Sequence, residues 1–435
     1  MSKPLIGFAG MTHLGINSAA AAAARGFPTL WFDANVQWMD RIKAGDLPVV
    51  EPDLPELIEK NRERISYSSD PVDLRRCAVV YIACDVPTDD RGNSDLSEIY
   101  ALIEKVSSHL HDDAVLVVLC QVPPGFTRAV KRRPQRLYYQ VETLIFGRAV
   151  ERALHPERFI IGCAEPAGAL PDTYREFLSA FGCPLLPMRY ESAELAKIAI
   201  NCCLVASVTV ANTLAELSER IGADWHEIAP ALKLDRRIGQ YSYLAPGLGL
   251  AGGNLERDLA TVLRLAGETG SEAGLIESFI ANSCHRKDWV LRTLHAEVLS
   301  RQPDPVIAVL GLAYKENTHS TKNSPSLALI RHLAPWRLRV HDPVVPAQAA
   351  DHPRATGCST PLEAAAQADA LVVMTPWPAF RELKPEELAH AMTGRAIIDP
   401  YRVFDGRAFA EAGFDYSTLG VPPLRSRHSL DRPHA

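Results

Sequence analysis

The stretch LIGFAGMTHLG (residues 5–15) decides how the first part of the chain folds. It is a short apolar run that leads into Gly10 and Gly15, and the alanine-rich segment SAAAAAARG (18–26) follows it. A second apolar run, TLWFD (29–33), comes next. A strand, a glycine turn, a helix and a second strand in this order predict the βαβ unit that binds a dinucleotide.

The residues around this turn indicate which dinucleotide is bound. The free N–H groups of the helix that starts between Gly10 and Gly15 would hold a pyrophosphate. Asp33 would accept hydrogen bonds from ribose hydroxyls, and it favours NAD over NADP because a 2′-phosphate would face its carboxylate. Thr12 replaces the middle glycine of G-x-G-x-x-G, where the pyrophosphate approaches the backbone most closely. NAD binding is therefore predicted, and the alternative is a domain that has lost the cofactor.

The alternation of strands and helices divides the chain into three parts. Strand-length apolar runs recur in residues 1–188 and again in residues 303–435. The stretch between them, 189–297, lacks strand signals and contains a long apolar helical pattern in residues 192–222. The predicted fold class is α/β, with two Rossmann-like parallel-sheet domains joined by a central helical domain.

The composition excludes several classes of protein. Of the 435 residues, 47% are hydrophobic and 23% are charged, and the formal net charge of -6 gives no general attraction to nucleic acid or to an anionic membrane. The chain shows no signal-peptide layout and no continuous apolar run long enough to span a bilayer, so a soluble, cytoplasmic protein is expected. The nine cysteines lack zinc-ligand spacing, which predicts reduced thiols and no bound metal.

Seven further segments, in the same order along the chain, resemble those of the UDP-glucose/GDP-mannose dehydrogenase family. They are GDLPVVEPDLPELI (45–58), DVPTDDRGNSDLS (85–97), QVPPGFTR (121–128), HPERFIIG (155–162), SAELAKIAIN (192–201), VLGLAYKENT (309–318) and NSPSLALI (323–330). The resemblance covers nearly the whole chain. It implies an N-terminal domain that binds NAD, a helical middle that forms a homodimer, and a C-terminal domain that holds a nucleotide sugar.

The residue on which the family's full reaction depends differs in this chain. In the family, a cysteine within P-G-x-G-x-G-G-x-C-x-P-K-D captures the aldehyde after the first hydride transfer, and a second transfer leaves a thioester that water hydrolyses to an acid. The matching stretch, PGLGLAGGNLERD (246–258), has Asn254 at the cysteine position. An amide is not a nucleophile and forms no thioester, so the thioester route is closed unless Cys202 or Cys284 enters the site.

The resemblance also implies roles for residues near the reacting carbon. Lys197 would stabilise the developing alkoxide, Asn201 would help to hold an oxyanion, and Asp258 would order a water or act as a base. Lys197 and Asn201 are four residues apart, so they lie on one face of a helix. Glu142, in the altered segment QVETLIFG (140–147), stands where the family has a glutamate, and it is expected to contact the substrate and take part in catalysis.

Outside the family context, these residues have ordinary explanations. The long side chain of Lys197 would reach the surface from an otherwise apolar helix, and Glu142 would be an ordinary solvated acid. Asp258 would form an ion pair with Arg257 at the surface.

Further residues are expected to contact the cofactor or the nucleotide sugar by resemblance alone. Those expected at the cofactor, in addition to Gly10, Thr12, Gly15 and Asp33, are Val86, Pro87, Thr88, Gln121 and Lys322. Those expected at the substrate, in addition to Glu142, are Arg237, Gly249, Gly252, Lys315 and Arg402. Lys322 keeps the positive charge of the family's arginine, but a lysine cannot form the bidentate hydrogen bonds of a guanidinium group.

A site with NAD, Lys197, Asn201 and Asp258 but without a thiol suits one reversible hydride transfer on a nucleotide-activated sugar. Two outcomes are equally compatible: a single oxidation that releases a keto- or aldehydo-sugar, or an epimerisation in which retained NADH returns the hydride. One alternative is oxidation to a uronic acid through a gem-diol that Asn254 binds. The other is an inactive binding or regulatory subunit.

Overall fold

The computed structural model describes residues 3–47, 51–89, 94–251 and 253–426. The chain separates into two compact units, Met1–Ile200 and Asn201–Ala435. The predicted three-domain boundaries at 1–188, 189–297 and 303–435 form a finer division, which stays a prediction.

The first unit is built on an eight-stranded sheet. Its strands are β1 Ile6–Ala9, β2 Thr29–Phe32, β3 Ile65–Ser68, β4 Val79–Ile82, β5 Val115–Val118, β6 Leu137–Gln140, β7 Phe159–Cys163 and β8 Leu185–Arg189. They lie in the order β3-β2-β1-β4-β5-β6-β7-β8. All neighbours pair in parallel except β6 and β7, which pair antiparallel with Tyr139 opposite Gly162.

Helices cover both faces of this sheet. They are α1 His13–Ala24, α2 Val36–Lys43, α3 Leu54–Lys60, α4 Ser97–Ser107, α5 Phe126–Ala129, α6 Ala149–Leu154, α7 Asp172–Ser179 and the start of α8 Tyr190–Ile221. Alternate residues of β4 belong to two different apolar clusters, Val79 and Tyr81 to one and Val80 and Ile82 to the other. The central strands are therefore buried on both faces, which is why they are continuous apolar runs in the sequence.

The second unit continues α8 and adds helices and a six-stranded sheet. The further helices are α9 Trp225–Leu234, α10 Asn254–Thr269, α11 Gly274–Lys287, α12 Trp289–Leu294, α13 Pro325–His332, α14 Pro361–Ala365, α15 Pro385–Ala391 and α16 Gly406–Glu411. The strands are β9 Val306–Leu310, β10 Arg337–His341, β11 Ala355–Gly357, β12 Ala370–Val373, β13 Ala396–Ile398 and β14 Asp415–Ser417. They pair in parallel in the order β11-β10-β9-β12-β13-β14.

The predicted α/β class with two mostly parallel sheets and a helical stretch between them is confirmed. The apolar runs of the sequence predict nine of the strands, namely β1, β2, β4, β5, β7, β9, β10, β12 and β13. They do not predict β3, β6, β8, β11 and β14, of which all but β6 lie at sheet edges. The edge strands β3, β8 and β11 are only partly buried, and they therefore lack a continuous apolar run. The first sheet contains one antiparallel pair, β6–β7, which the sequence did not predict; such a reversal is found in many mixed sheets.

Among the described residues, α8 is the helix that is long and apolar enough to cross a membrane by length and composition. A core helix of a water-soluble protein passes the same test, so this is weak evidence for a membrane span. The helix also carries the buried polar residues Glu194, Lys197, Asn201 and Asn212. The expected cytoplasmic location stays a prediction.

Candidate functional site

The predicted dinucleotide turn lies at the carboxyl end of β1. Gly10 has a φ of +96°, and α1 begins three residues later at His13. A Cβ atom at Gly15 would lie 1.9 Å from the Gly10 carbonyl oxygen. The helix packs so closely on the turn that only glycine fits at position 15, as the dinucleotide pattern requires.

Asp33 lies beside the turn because β2 is the neighbour of β1. Its carboxylate accepts hydrogen bonds from the backbone N–H of Met11, with an N–O distance of 3.1 Å, and from that of Asn35, at 3.0 Å. The carboxylate is thus fixed at the carboxyl edge of the sheet, which is the position that a ribose contact needs.

Thr12 joins the turn to the segment after β4. Its hydroxyl accepts a hydrogen bond from the backbone N–H of Asp85 at 3.0 Å and donates to the Ala83 carbonyl at 3.4 Å. Although Thr12 is the N-cap residue of α1, its side chain makes no capping hydrogen bond to that helix. Its side chain adds bulk where the usual middle glycine leaves room for a pyrophosphate.

A buried carboxylate holds the start of α1 against the segment after β6. Glu51 lies 2.8 Å from Nε2 of His13, and it also accepts hydrogen bonds from the backbone N–H of Gly147 at 2.8 Å and of Ala149 at 3.2 Å. The Phe146 ring stacks on His13 with a centroid distance of 4.1 Å. None of these residues is a predicted site residue, although Glu51 lies in one of the segments that carry the family resemblance.

Lys197 and Glu142 form a largely buried ion pair. The Lys197 Nζ lies 2.7 Å from Glu142 Oε1 and donates a further hydrogen bond to the Glu142 carbonyl at 3.1 Å. Only 10% of the Lys197 side chain and 16% of the Glu142 side chain are exposed. Lys197 therefore does not reach the surface, and Glu142 is not a freely solvated acid.

Glu194, on the same face of α8 as Lys197, fixes a second segment. Its carboxylate accepts hydrogen bonds from the backbone N–H groups of Gly125 and Thr127 at 2.6 Å and 2.8 Å. Burial raises the pKa of the Glu194 carboxyl, while these hydrogen bonds lower it. The turn that Glu194 holds follows Gln121 closely in the chain, and no role was predicted for Glu194.

The remaining predicted cofactor residues of the first unit lie at the same sheet edge. Val86, Pro87 and Thr88 follow β4, and Gln121 follows the adjacent parallel strand β5. The loop after β4 is closed by a hydrogen bond from the Asp95 backbone N–H to the Pro87 carbonyl, at 2.9 Å. Parallel strands place all these residues at the carboxyl edge that carries Gly10.

In the second unit, Asn201 and Asp258 are in direct contact. The Asn201 amide donates to Asp258 Oδ2 at 2.5 Å, and Asp258 is only 2% exposed. Arg257 Nε lies 3.5 Å from the other carboxylate oxygen, so the pair with Arg257 is buried and not a surface pair. Asn254 is the first residue of α10 and lies one helical turn before Asp258, on the same helix face.

The glycine-rich turn before α10 is held on α11. Gly249 has a φ of +79°, and a Cβ atom there would lie 2.5 Å from the Ser283 carbonyl oxygen. Lys322 lies over the turn, because a Cβ atom on Gly253 would come within 3.2 Å of its Cε. The predicted substrate residue Gly252 lies outside the described residues.

Two other predicted substrate residues of this unit, Arg402 and Arg237, form ion pairs with acidic residues. Arg402 forms an ion pair with Asp224 at 2.9 Å, and Arg237 pairs with Asp235 at 2.6 Å while its side chain stays 89% exposed. Lys315 follows β9, and its Nζ lies 5.8 Å from the centre of the Tyr314 ring. Their substrate contacts stay predictions.

Sequence profiles of one family match three successive parts of the chain. The NAD binding domain of the UDP-glucose/GDP-mannose dehydrogenase family matches residues 5–178, its central domain 191–283, and its UDP binding domain 308–406. The chain belongs to the UDP-glucose/GDP-mannose dehydrogenase family. Its cofactor is NAD.

Relatives within the family align over almost the whole chain. UDP-glucose 6-dehydrogenase TuaD of Bacillus subtilis strain 168 is 28% identical over 97% of this chain and 94% of its own length. A UDP-glucose 6-dehydrogenase of Pseudomonas aeruginosa is 29% identical over 95% and 96%. A UDP-glucose dehydrogenase structure from the archaeon Pyrobaculum islandicum has a TM-score of 0.81 and 24% identity over 93% of this chain and 96% of its own, which shows the same fold.

The first unit of this family member fits NAD in most respects. The Gly10–Gly15 turn provides the close backbone approach, the start of α1 provides N–H donors, and Asp33 provides the carboxylate beside the ribose position. Thr12 is the departure, because a side chain with a Cβ stands where the family pattern has glycine.

Cys202 is poorly suited to replace a catalytic thiol. Burial raises the pKa of the Cys202 thiol, and the Asp258 carboxylate raises it further. The thiol therefore stays protonated, and the thiolate is the nucleophilic form. Cys284 is exposed on α11.

The rates of alkylation test whether the Cys202 thiol stays protonated. At about pH 7, iodoacetamide should modify the exposed Cys203 and Cys284 faster than Cys202, because the raised pKa keeps the Cys202 thiol protonated. Peptide mass spectrometry of timed samples gives the three rates. Cys202→Ala should keep turnover within about twofold of the unmodified protein, with Cys203→Ala as the matched control. Loss of turnover in Cys202→Ala alone, with NADH binding intact, would show that the thiol takes part.

Proposed function

We propose that this protein carries out one reversible hydride transfer between NAD and a nucleotide-activated sugar and releases a keto- or aldehydo-sugar. The observation that carries the proposal is Asn254, which starts α10 one turn before the buried Asp258, at the position of the family's cysteine. Membership of a family with a UDP binding domain supports the nucleotide sugar as substrate.

In the proposed reaction, NAD supplies the acceptor for the hydride that leaves the carbinol carbon. Lys197 stabilises the negative charge that develops on the sugar oxygen, and its ammonium is kept in place by Glu142. The hydroxyl proton must leave as the hydride does. We assign it to the Asp258 carboxylate, directly or through one water, because the Asn201 amide holds that carboxylate at 2.5 Å.

The reaction stops at the carbonyl because of Asn254. An amide side chain donates and accepts hydrogen bonds, but it cannot add to an aldehyde to give the thiohemiacetal from which a second hydride leaves. The raised pKa of the Cys202 thiol supports the same conclusion.

A second candidate, complete oxidation to a uronic acid, is favoured by the relatives described as UDP-glucose 6-dehydrogenases. It requires hydration of the carbonyl to a gem-diol, which Asn254 would bind by hydrogen bonds. Epimerisation with retained NADH differs from both, since it leaves no net NADH.

The central test uses purified protein, NAD and a panel of UDP- and GDP-sugars. One NADH and a product two hydrogens lighter than the substrate are expected for the accepted sugar, measured by absorbance, mass spectrometry and NMR. Lys197→Met should lower kcat by at least about 100-fold, because the alkoxide loses its cation. Lys233→Met, at an exposed lysine, is the matched control and should leave kcat unchanged.

The other outcomes each identify a different reaction. Two NADH with a gained oxygen would establish the uronic acid, and an isomer without net NADH would establish an epimerase. Full turnover by Lys197→Met would contradict the role of Lys197. Binding of a nucleotide sugar without any conversion across the panel would indicate a regulatory subunit.

A single substitution should extend the reaction. Asn254→Cys places a thiol at the first position of α10, where the helix N-terminus favours the thiolate. We expect this variant to release some product with one added oxygen and two NADH per sugar, whereas Asn254→Ala gives the carbonyl product only. Mass spectrometry distinguishes the two products. Acid formation by the unmodified protein and by Asn254→Ala at equal rates would show that position 254 does not decide where the reaction stops.

We also propose that the protein is a homodimer. Val210, Leu214, Leu217 and Ile221 are exposed on one face of α8, with Leu217 49% and Ile221 66% exposed. Apolar side chains in such a row favour a protein partner, and a second copy would bury them. Leu217→Glu should reduce the mass in sedimentation to that of a monomer, while Arg381→Glu, at another exposed position, should not. A monomeric unmodified protein would contradict the proposal.

A further inference from the structure

One carboxylate joins the first turn of α10 to two other segments of the second unit. Glu256 is the third residue of α10, and its Oε1 accepts a hydrogen bond from Lys287 Nζ of α11 at 3.0 Å. Its Oε2 accepts a hydrogen bond from the Asn323 side-chain amide at 2.7 Å. The Glu256 and Lys287 side chains are only 26% and 24% exposed, so water screens their ion pair incompletely. The helix that carries Asn254 and Asp258 is therefore held at its start by two donors from distant parts of the chain.

The segments that Glu256 engages also pack on the glycine-rich turn before α10, residues 246–251 and 253. A Cβ atom on Gly249 would lie 3.0 Å from Cγ of Lys287, and one on Gly253 would lie 3.2 Å from Cε of Lys322. Both glycines have a positive φ, +79° and +95°. Each lysine stem thus fills the space that a side chain on the turn would need. The conformation of the turn therefore depends on where the two stems lie.

The backbone at Asn323 connects Glu256 to the second of these stems. Asn323 has a φ of +51°, in the left-handed region that asparagine tolerates better than most residues. Its amide is bound by Glu256, which fixes the residue directly after Lys322. Glu256 therefore constrains the Lys322 stem through Asn323 and the Lys287 stem through the ion pair.

We propose that Glu256 is a positioning residue, which holds the glycine-rich turn and the first turn of α10 in the arrangement that the reaction needs. Its carboxylate does not react, and it acts through Asn254 and Asp258 on the same helix. The Asn201 amide holds the Asp258 carboxylate at 2.5 Å, whereas Glu256 holds the start of the helix. The proposal rests on the proposed hydride transfer, which gives Asn254 and Asp258 their roles.

Glu256 is a second departure from the family pattern in the same turn of α10. The resemblance places it at the proline of P-G-x-G-x-G-G-x-C-x-P-K-D, two residues after the cysteine position that holds Asn254. A proline side chain has no hydrogen-bond acceptor, so it could not bind Lys287 or Asn323. The contacts of the Glu256 carboxylate therefore belong to a segment in which two residues differ from the pattern.

Hydrogen exchange tests the positioning without any sugar, so its result does not depend on which reaction occurs. The Leu250 backbone N–H of the turn donates to the Ser283 hydroxyl at 2.8 Å, and the Gly247 N–H donates to Asn212 Oδ1 at 2.8 Å. In Glu256→Ala, peptides that cover residues 246–251 should exchange at least about fivefold faster than in the unmodified protein, because these bonds open more often. Glu256→Gln keeps an oxygen acceptor for both donors, and its exchange should rise by less than about twofold.

Steady-state kinetics with the accepted sugar test whether this arrangement serves the reaction. Glu256→Ala should lower kcat about tenfold, because small displacements of reacting groups slow the chemical step. The KM for NAD should stay within about twofold, since Glu256 is not assigned to the cofactor. Glu256→Gln should recover most of the lost kcat, and both variants should still release the carbonyl product.

Glu268→Ala is the matched control. It removes a glutamate of the same helix, whose carboxylate pairs with Arg264 at 2.8 Å and whose side chain is 56% exposed. This variant should leave both kcat and the exchange of residues 246–251 unchanged. Thermal melting of each variant shows that it is folded.

Three results would overturn the proposal. Unchanged exchange and kcat in Glu256→Ala would show that the carboxylate does not hold the turn. A lower kcat without faster exchange would show that Glu256 takes part in the reaction directly. Equally fast exchange in Glu268→Ala would show a general loosening of α10. If no sugar is converted, the proposed hydride transfer fails, while the exchange rates still decide whether Glu256 holds the turn.

Discussion

The buried ion pair between Lys197 and Glu142 is the interaction on which the shape of the candidate site depends. A buried charge is costly unless it is paired and further hydrogen-bonded, and here both conditions are met. Lys197 also donates to the Glu142 carbonyl, and the Glu142 carboxylate also accepts from the Leu144 backbone N–H at 3.0 Å. Since Glu194 on the same helix holds the turn at 125–127, one face of α8 determines the conformation of two segments of the first unit.

The proposed reaction is based on a contrast between two groups of residues. Lys197, Asn201 and Asp258, to which the family resemblance gives roles in charge stabilisation and proton transfer, are buried and hydrogen-bonded or ion-paired. Asn254, which the resemblance places at the position of the family's cysteine, carries an amide. The proposal therefore keeps the groups that a hydride transfer needs and lacks the thiol that a thioester needs.

Much of this could be predicted from the sequence, because the decisive features are local. The Gly10–Gly15 turn, the buried central strands and the spacing of Lys197 and Asn201 follow from periodicity and from short-range geometry. The contacts of Glu51 and Glu194 could not be predicted, since each joins segments that are distant in the chain. A signal was nevertheless present, because both residues lie within segments that resemble the family's. The edge strands β3, β8 and β11 were missed because their partial burial leaves no clear apolar run.

The Glu51 carboxylate also constrains how this sequence can change over evolutionary time. It serves the His13 imidazole and the backbone N–H groups of Gly147 and Ala149 at once. An apolar residue there would leave the donors at His13, Gly147 and Ala149 without this acceptor, and replacing His13 alone would leave a buried carboxylate without its imidazole partner. Positions 13 and 51 are therefore expected to vary together among descendants of this chain. The backbone N–H groups at 147 and 149 do not depend on the side chains there, so they require an acceptor at position 51 in every descendant.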